Sequence, residues 1–190
     1  MPNLIATLII NLPEDVQKAI GAQINVLYKK YSKYRTKGNT DGLYRNLPHV
    51  TLTRIVNADK HMKEIKAVME EASQLEPFQI NAHKIKILRD GNGFHIILEI
   101  KNTKEITNLH KILYYKLLPL IADARKPFGG ENYYPHTSLI TWLPENKAKE
   151  ALKEITIKPF TFTANNISIK LMEEGKEAYI HKTYSLGEEQ

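Results

Sequence analysis

Not one of the 190 residues is a cysteine. That absence excludes disulfide scaffolds, zinc fingers, iron–sulfur clusters and thiol nucleophiles. Long apolar runs are missing too. The chain opens Met1-Pro2-Asn3, and a mostly apolar stretch from Leu4 to Ile10 follows, too short and wrongly flanked for a secretory signal. The longest later apolar stretch, near Ile112 to Ala122, is interrupted by Lys116, so no bilayer-spanning helix is expected. What remains is a globular balance of 25% charged and 42% hydrophobic residues, which excludes a disordered or collagen-like chain. The length suits one sizeable core and is too small for two ordinary domains. A single intracellular, cytoplasmic unit is the expectation.

Charge adds a direction. Lysine and arginine number 27 against 21 acidic residues, a formal net charge of +6. Such a surface favours phosphate-bearing partners. The lysines are spread along the chain rather than run together, which argues against a DNA-binding tail.

Periodicity gives the element order. Leu4 to Ile10 reads as a buried strand, and Pro13-Glu14-Asp15 as a helix start. Apolar positions at Val16, Ile20, Ile24, Leu27 and Tyr31 carry that helix to about Arg35. A polar, glycine-bearing loop spans Thr36 to Leu47, and His49 to Val56 alternates as a strand. A second helix is expected from about Asp59 to Gln74, then a strand from Phe78 to Leu88. A tight turn at Asp90-Gly91-Asn92-Gly93 leads to a return strand from Phe94 to Ile100. A third helix should run from about Lys104 to Ala122, with Pro119 placed to kink it or end it early. After a loop with Gly129-Gly130, a strand from His136 to Trp142 and a short helix from about Glu145 to Glu154 follow. Two last strands are expected near Pro159 to Leu171 and Ala178 to Leu186. The two halves, about 1–90 and 91–190, resemble each other in element order. With no linker between them, they predict one compact bilobal α+β unit.

The repetition sharpens at two places. Pro48-His49-Val50-Thr51-Leu52 matches Pro135-His136-Thr137-Ser138-Leu139: proline, histidine, any residue, hydroxyl, leucine. Each copy opens a strand after a long loop, where functional residues often sit. In a strand, residues i and i+2 share a face about 6.6 Å apart. Histidine and hydroxyl should therefore present together, with Val50 or Thr137 and Leu52 or Leu139 toward the core. If the halves pack about a pseudo-twofold axis, the pairs face each other across a groove. One imidazole can then accept a proton while the other donates one, on opposite sides of a single phosphorus. The hydroxyls can hydrogen-bond the non-bridging oxygens. No metal or other cofactor is required. A lone His-x-Thr on a strand is commonly structural; two proline-preceded copies at matched positions favour function.

This paired pattern, HVTL at His49 to Leu52 and HTSL at His136 to Leu139, resembles the 2H phosphoesterase superfamily, which includes the 2′-5′ RNA ligase-like proteins and cyclic phosphodiesterases. The resemblance implies a bilobal fold with two antiparallel sheets lining a central groove and helices outside. It also implies metal-independent cleavage of phosphodiesters: 2′,3′-cyclic phosphates, 2′-5′ linkages, RNA 3′ ends, or cyclic and 2′-5′ oligonucleotides. Expected partners are an RNA terminus or a small oligonucleotide, with no membrane and no obligate protein partner. Many relatives carry an arginine just after the second motif, whereas here Thr141 and Trp142 follow it and Arg54 follows the first. The competing class is a non-catalytic RNA- or nucleotide-binding module using the same groove; intact hydroxyls in both motifs weigh against it.

Weaker candidates surround the motifs. Arg54 stands at an odd offset from His49, which in a regular strand turns it to the opposite face. Tyr44, Tyr133 and Tyr134 lie on loops entering the motif strands, where they can stack a base or pack in the core. Arg45, Lys37, Arg125 and Lys126 can guide phosphates or be merely solvated. His95 alternates with Ile97 and can enter the groove. His61, His83, His110 and His181 read as surface residues.

Overall fold

The structure, a computed structural model, describes residues 4–36, 48–91, 93–121, 123–173 and 176–187. Tyr44, Arg45 and Lys37 lie outside these residues.

Among the described residues, eight strands form two antiparallel sheets. Sheet one holds β1 (Ile5–Asn11), β2 (His49–Ile55), β7 (Asn166–Met172) and β8 (Tyr179–Ser185), in the order β2-β1-β7-β8. Sheet two holds β3 (Phe78–Asp90), β4 (Gly93–Ile100), β5 (His136–Leu143) and β6 (Phe160–Ala164), in the order β5-β4-β3-β6. Each sheet thus draws on both halves of the chain. The orders correspond one to one, and each motif strand lies at the edge of its sheet, beside β1 or β4. The stretch read from sequence as one strand from Pro159 to Leu171 is two strands in different sheets. The chain leaves sheet two after Ala164 and joins sheet one at Asn166. The break falls at the Asn165-Asn166 pair, a residue type disfavoured inside strands and common in turns, which the sequence reading ran through.

Among the described residues, four α-helices cover the sheets: α1 (Glu14–Tyr31), α2 (Met62–Ala72), α3 (Lys104–Lys116) and α4 (Glu145–Leu152). In α1, Glu14 and Asp15 sit in the first turn and Lys29 and Lys30 in the last, matching the helix dipole. Its buried face is Ile20, Ile24, Leu27 and Tyr31, a helical spacing. The third helix ends at Lys116, six residues earlier than its apolar pattern suggests, and Pro119 falls in a following 3-10 turn, Leu118–Leu120. The helices exchange sheets. α1 leaves sheet one and packs on β5; α3 leaves sheet two and packs on β2. Their apolar faces meet the sheets in one continuous core that includes Leu8, Leu27, Val50, Leu98, Leu113 and Leu139. Among the described residues, no helix is long and apolar enough to cross a membrane.

Candidate active site

Both motif strands depart from regular pairing at the same motif position. In β2, Thr51 pairs with Ile9 and Thr53 with Leu8, so Leu52 is the extra residue of a bulge. In β5, Ser138 pairs with Ile97 and Ile140 with Ile96, so Leu139 is the extra residue. A bulge changes the parity of everything beyond it. His49 and Thr51 keep the face expected of them, while Val50 and Leu52 are buried, as are Thr137 and Leu139. Beyond the bulge the parity rule reverses. Arg54 pairs with Thr7 and lines the same cavity as His49 and Thr51, contrary to the opposite face read from its odd offset.

The two edges meet. The Thr137 hydroxyl donates to the His49 carbonyl at 3.1 Å, so the variable residue of one motif anchors the backbone of the other. His49, Thr51, His136 and Ser138 all line one cavity of about 490 Å³. His136 donates from Nδ1 to the Tyr134 carbonyl at 2.8 Å, because a carbonyl only accepts. Nε2 is then the basic nitrogen of the neutral ring. Burial pushes the His136 pKa down, against the opposing pull of that backbone hydrogen bond.

Opposite His136 in the ladder stands Glu99. Burial works to raise its carboxyl, but hydrogen bonds from Lys86 and Tyr134, with the nearby Lys86 and His83 charges, bring it below its ordinary value. Tyr134 is therefore held by Glu99 and Lys86 while its ring lines the cavity. Opposite His49 stands Asn11, which donates to Asn166 at 2.5 Å and to Ser168 at 2.6 Å.

Sequence reasoning missed His110. It is buried, not on the surface, because it belongs to the inner face of α3 beside Leu109 and Leu113. Its Nδ1–H donates to the Leu52 carbonyl at 2.8 Å, and its Nε2 accepts the Gly130 N–H at 2.9 Å. Tyr133 stacks on it at 3.8 Å between ring centroids, tilted by 4°, and donates its hydroxyl to the Thr51 carbonyl at 3.0 Å. The two rings thus cap consecutive carbonyls at the β2 bulge. Tyr133 is buried in this role, with its hydroxyl pKa raised by desolvation, and is not an open stacking platform. His83 stands beside Glu99 at 3.3 Å and His61 beside Glu64 at 3.5 Å, while His181 is exposed. None of these relationships joins neighbours in sequence, apart from the short His61–Glu64 spacing.

Desolvation lowers the His110 pKa from 6.5 to about 4. Between those values the unfolded chain binds a proton that the native ring does not, so stability falls as pH drops. At pH 4, His110 should account for about 3 kcal/mol of lost stability relative to pH 7. Denaturant unfolding at both pH values checks this. His110→Leu should show a shallower acid dependence, and an unchanged slope would refute the assignment.

Other lining residues come from distant parts of the chain. His95 does enter the cavity and meets Trp142 edge-on at 4.4 Å. Trp142 has a left-handed φ of 63°, and a Cβ on Gly93 would sit 2.8 Å from its ring, so this close approach requires glycine. Thr141 occupies the place in β5 that Arg54 holds in β2. An arginine reaches it from elsewhere: Arg35, after α1, donates Nε–H to the Thr141 carbonyl at 3.0 Å and Nη2–H to its hydroxyl at 3.3 Å. Phe128 and Leu88 line the cavity with substantial exposure. Lys126 pairs with Asp123 at 2.7 Å, and the Arg125 side chain lies outside the described residues. Among the described residues, no cluster of three His, Cys, Asp or Glu side chains is placed to hold a metal ion.

A family model described as the 2′-5′ RNA ligase superfamily matches residues 20–176. The chain belongs to that superfamily. No curated protein matches it significantly. Solved structures share the superfamily architecture at low identity. Escherichia coli LigT complexed with 3′-AMP has a TM-score of 0.65 at 13% identity, covering 99% of this chain and 100% of that one. TT0787 of Thermus thermophilus has a TM-score of 0.65 at 14% identity, covering 98% and 100%. The crystal structure of a phosphoesterase has a TM-score of 0.61 at 12% identity, covering 99% and 100%. These likenesses establish the fold. The superfamily match extends over both motif strands, from α1 to just beyond β7.

Proposed function

We propose that this 2′-5′ RNA ligase superfamily member is a metal-independent phosphodiesterase. Its substrates are cyclic or 2′-5′-type phosphodiesters in RNA ends or small oligonucleotides. The observation that carries the reading is the matched pair of bulged edge strands, which bring two histidines and two hydroxyls to one cavity.

The roles are assigned from what surrounds His136. His136 is the base: its pKa is lowered, and its Nδ1 is fixed on a carbonyl, so neutral Nε2 can take a proton. His49 is the acid. In hydrolysis of a 2′,3′-cyclic phosphate, His136 removes a proton from water as the water oxygen bonds to phosphorus. The bond to one ribose oxygen breaks, and His49 protonates that leaving oxygen. Thr51 and Ser138 donate to the non-bridging oxygens as charge builds there. Phe128 offers an exposed ring at the rim for a base to stack on. LigT, crystallised with 3′-AMP and with phosphate, supports a nucleotide in this cavity.

The test is turnover of a panel of phosphodiesters in the presence of chelator. The panel holds a nucleoside 2′,3′-cyclic phosphate, a 2′-5′ dinucleotide and a cyclic dinucleotide. Cleavage of at least one is expected. Binding without cleavage of any would favour the non-catalytic nucleotide-binding alternative.

A further inference from the structure

We infer that Thr7, Arg54 and Lys170 form a second phosphate subsite in the cavity, so the substrate carries a further phosphate beyond the scissile one. This deepens the phosphodiesterase reading and rests on it. The three residues form one row across sheet one: Thr7 on β1 pairs with Arg54 on β2 and with Lys170 on β7. All three line the cavity. Their backbones span two strand spacings, about 10 Å, so two long cationic side chains can close on one anion over the Thr7 hydroxyl. The β2 bulge is what brings Arg54 to this row.

Charge points the same way. Among the described residues, Arg54, Arg89 and Lys170 line the cavity against one carboxylate, Asp90. Burial, and then the Arg54 charge, bring the Lys170 ammonium down to about 8. An anion seated between the two side chains can accept charge-assisted hydrogen bonds from both. Arg54 follows Thr51 by three residues, at most about 10 Å along the strand. A nucleoside spans that separation. The ligand class is therefore a nucleotide with two phosphate groups, one at the histidines and one at this row.

Calorimetry with adenosine 3′,5′-bisphosphate and 3′-AMP tests binding without any need for turnover. The bisphosphate should bind the wild type at least ~10-fold more tightly, as expected for charge-assisted hydrogen bonds from two cations. Lys170→Gln, Lys170→Met and Arg54→Gln should each shrink that ratio, with melting temperature read on every variant to establish folding. Equal affinities in the wild type, or a ratio unchanged in all folded variants, would overturn the subsite. The kinetic arm compares kcat/KM for a 2′,3′-cyclic mononucleotide with the same nucleotide bearing a 5′-phosphate, and the phosphorylated substrate should be favoured. A subsite-dependent binding preference without turnover of these substrates or of any other phosphodiester in the panel sinks the phosphodiesterase reading and leaves the subsite standing. Turnover of both with no preference does the reverse.

Discussion

Replacing either motif histidine should cost turnover by about 10²–10⁴-fold, the usual contribution of one positioned acid or base. In the proposed mechanism, His136→Ala removes the Nε2 base whose ring the Tyr134 carbonyl fixes, leaving the attacking water without a proton acceptor. In His49→Ala, the leaving oxygen departs without a proton. Neither change should unfold the protein, because neither side chain is among the buried core residues; Val50, Leu52, Thr137 and Leu139 carry the packing around them. The double variant should lose far less than the product of the single losses, because in the proposed mechanism the two groups act as a unit. Steady-state kinetics on folded variants decide the matter. Normal turnover in either single variant would end the two-histidine mechanism.

Motif, element order and fold class were legible in the sequence for a definite reason. The histidine, hydroxyl and core residues of each motif alternate with period two, and up to the hydroxyl the strands obey that period. Legibility ends at the bulge. Whether Leu52 is accommodated as an extra residue depends on the partner strand β1, more than 40 positions earlier, so the orientation of Arg54 cannot be read from β2 alone. His110 was misplaced for the same kind of reason. A histidine on a helix reads as polar surface until the carbonyl of Leu52, the amide of Gly130 and the ring of Tyr133 are known to surround it. Arg35 reaches Thr141 from a different helix connection, and no local pattern announces that meeting. The Asn165-Asn166 pair signals a break between β6 and β7, but which sheet each piece joins depends on its partners β3 and β1, far away in sequence.

The pH profile and the phosphate-binding hydroxyls should separate cleanly in one set of measurements. His136 must be neutral to act as base, and burial places its pKa below the ordinary 6.5. The rising limb of kcat/KM should therefore lie on the acid side of 6.5, as proton loss from His136 switches activity on. A falling limb at higher pH should follow as the partner loses the proton it must donate. Both limbs belong to the coupled pair when substrate charge or mutual proximity links them. Thr51→Val and Ser138→Ala remove donors to the charge-bearing oxygens without removing either acid or base. Each should lower the plateau by about 10-fold or more while both limbs stay nearly in place. Chelator should leave plateau and limbs alike unchanged, since histidines, hydroxyls and cavity cations supply the proton transfer and charge stabilisation in this scheme. A flat profile combined with inactivation by chelator would overturn it and require a metal-activated water in place of the paired imidazoles.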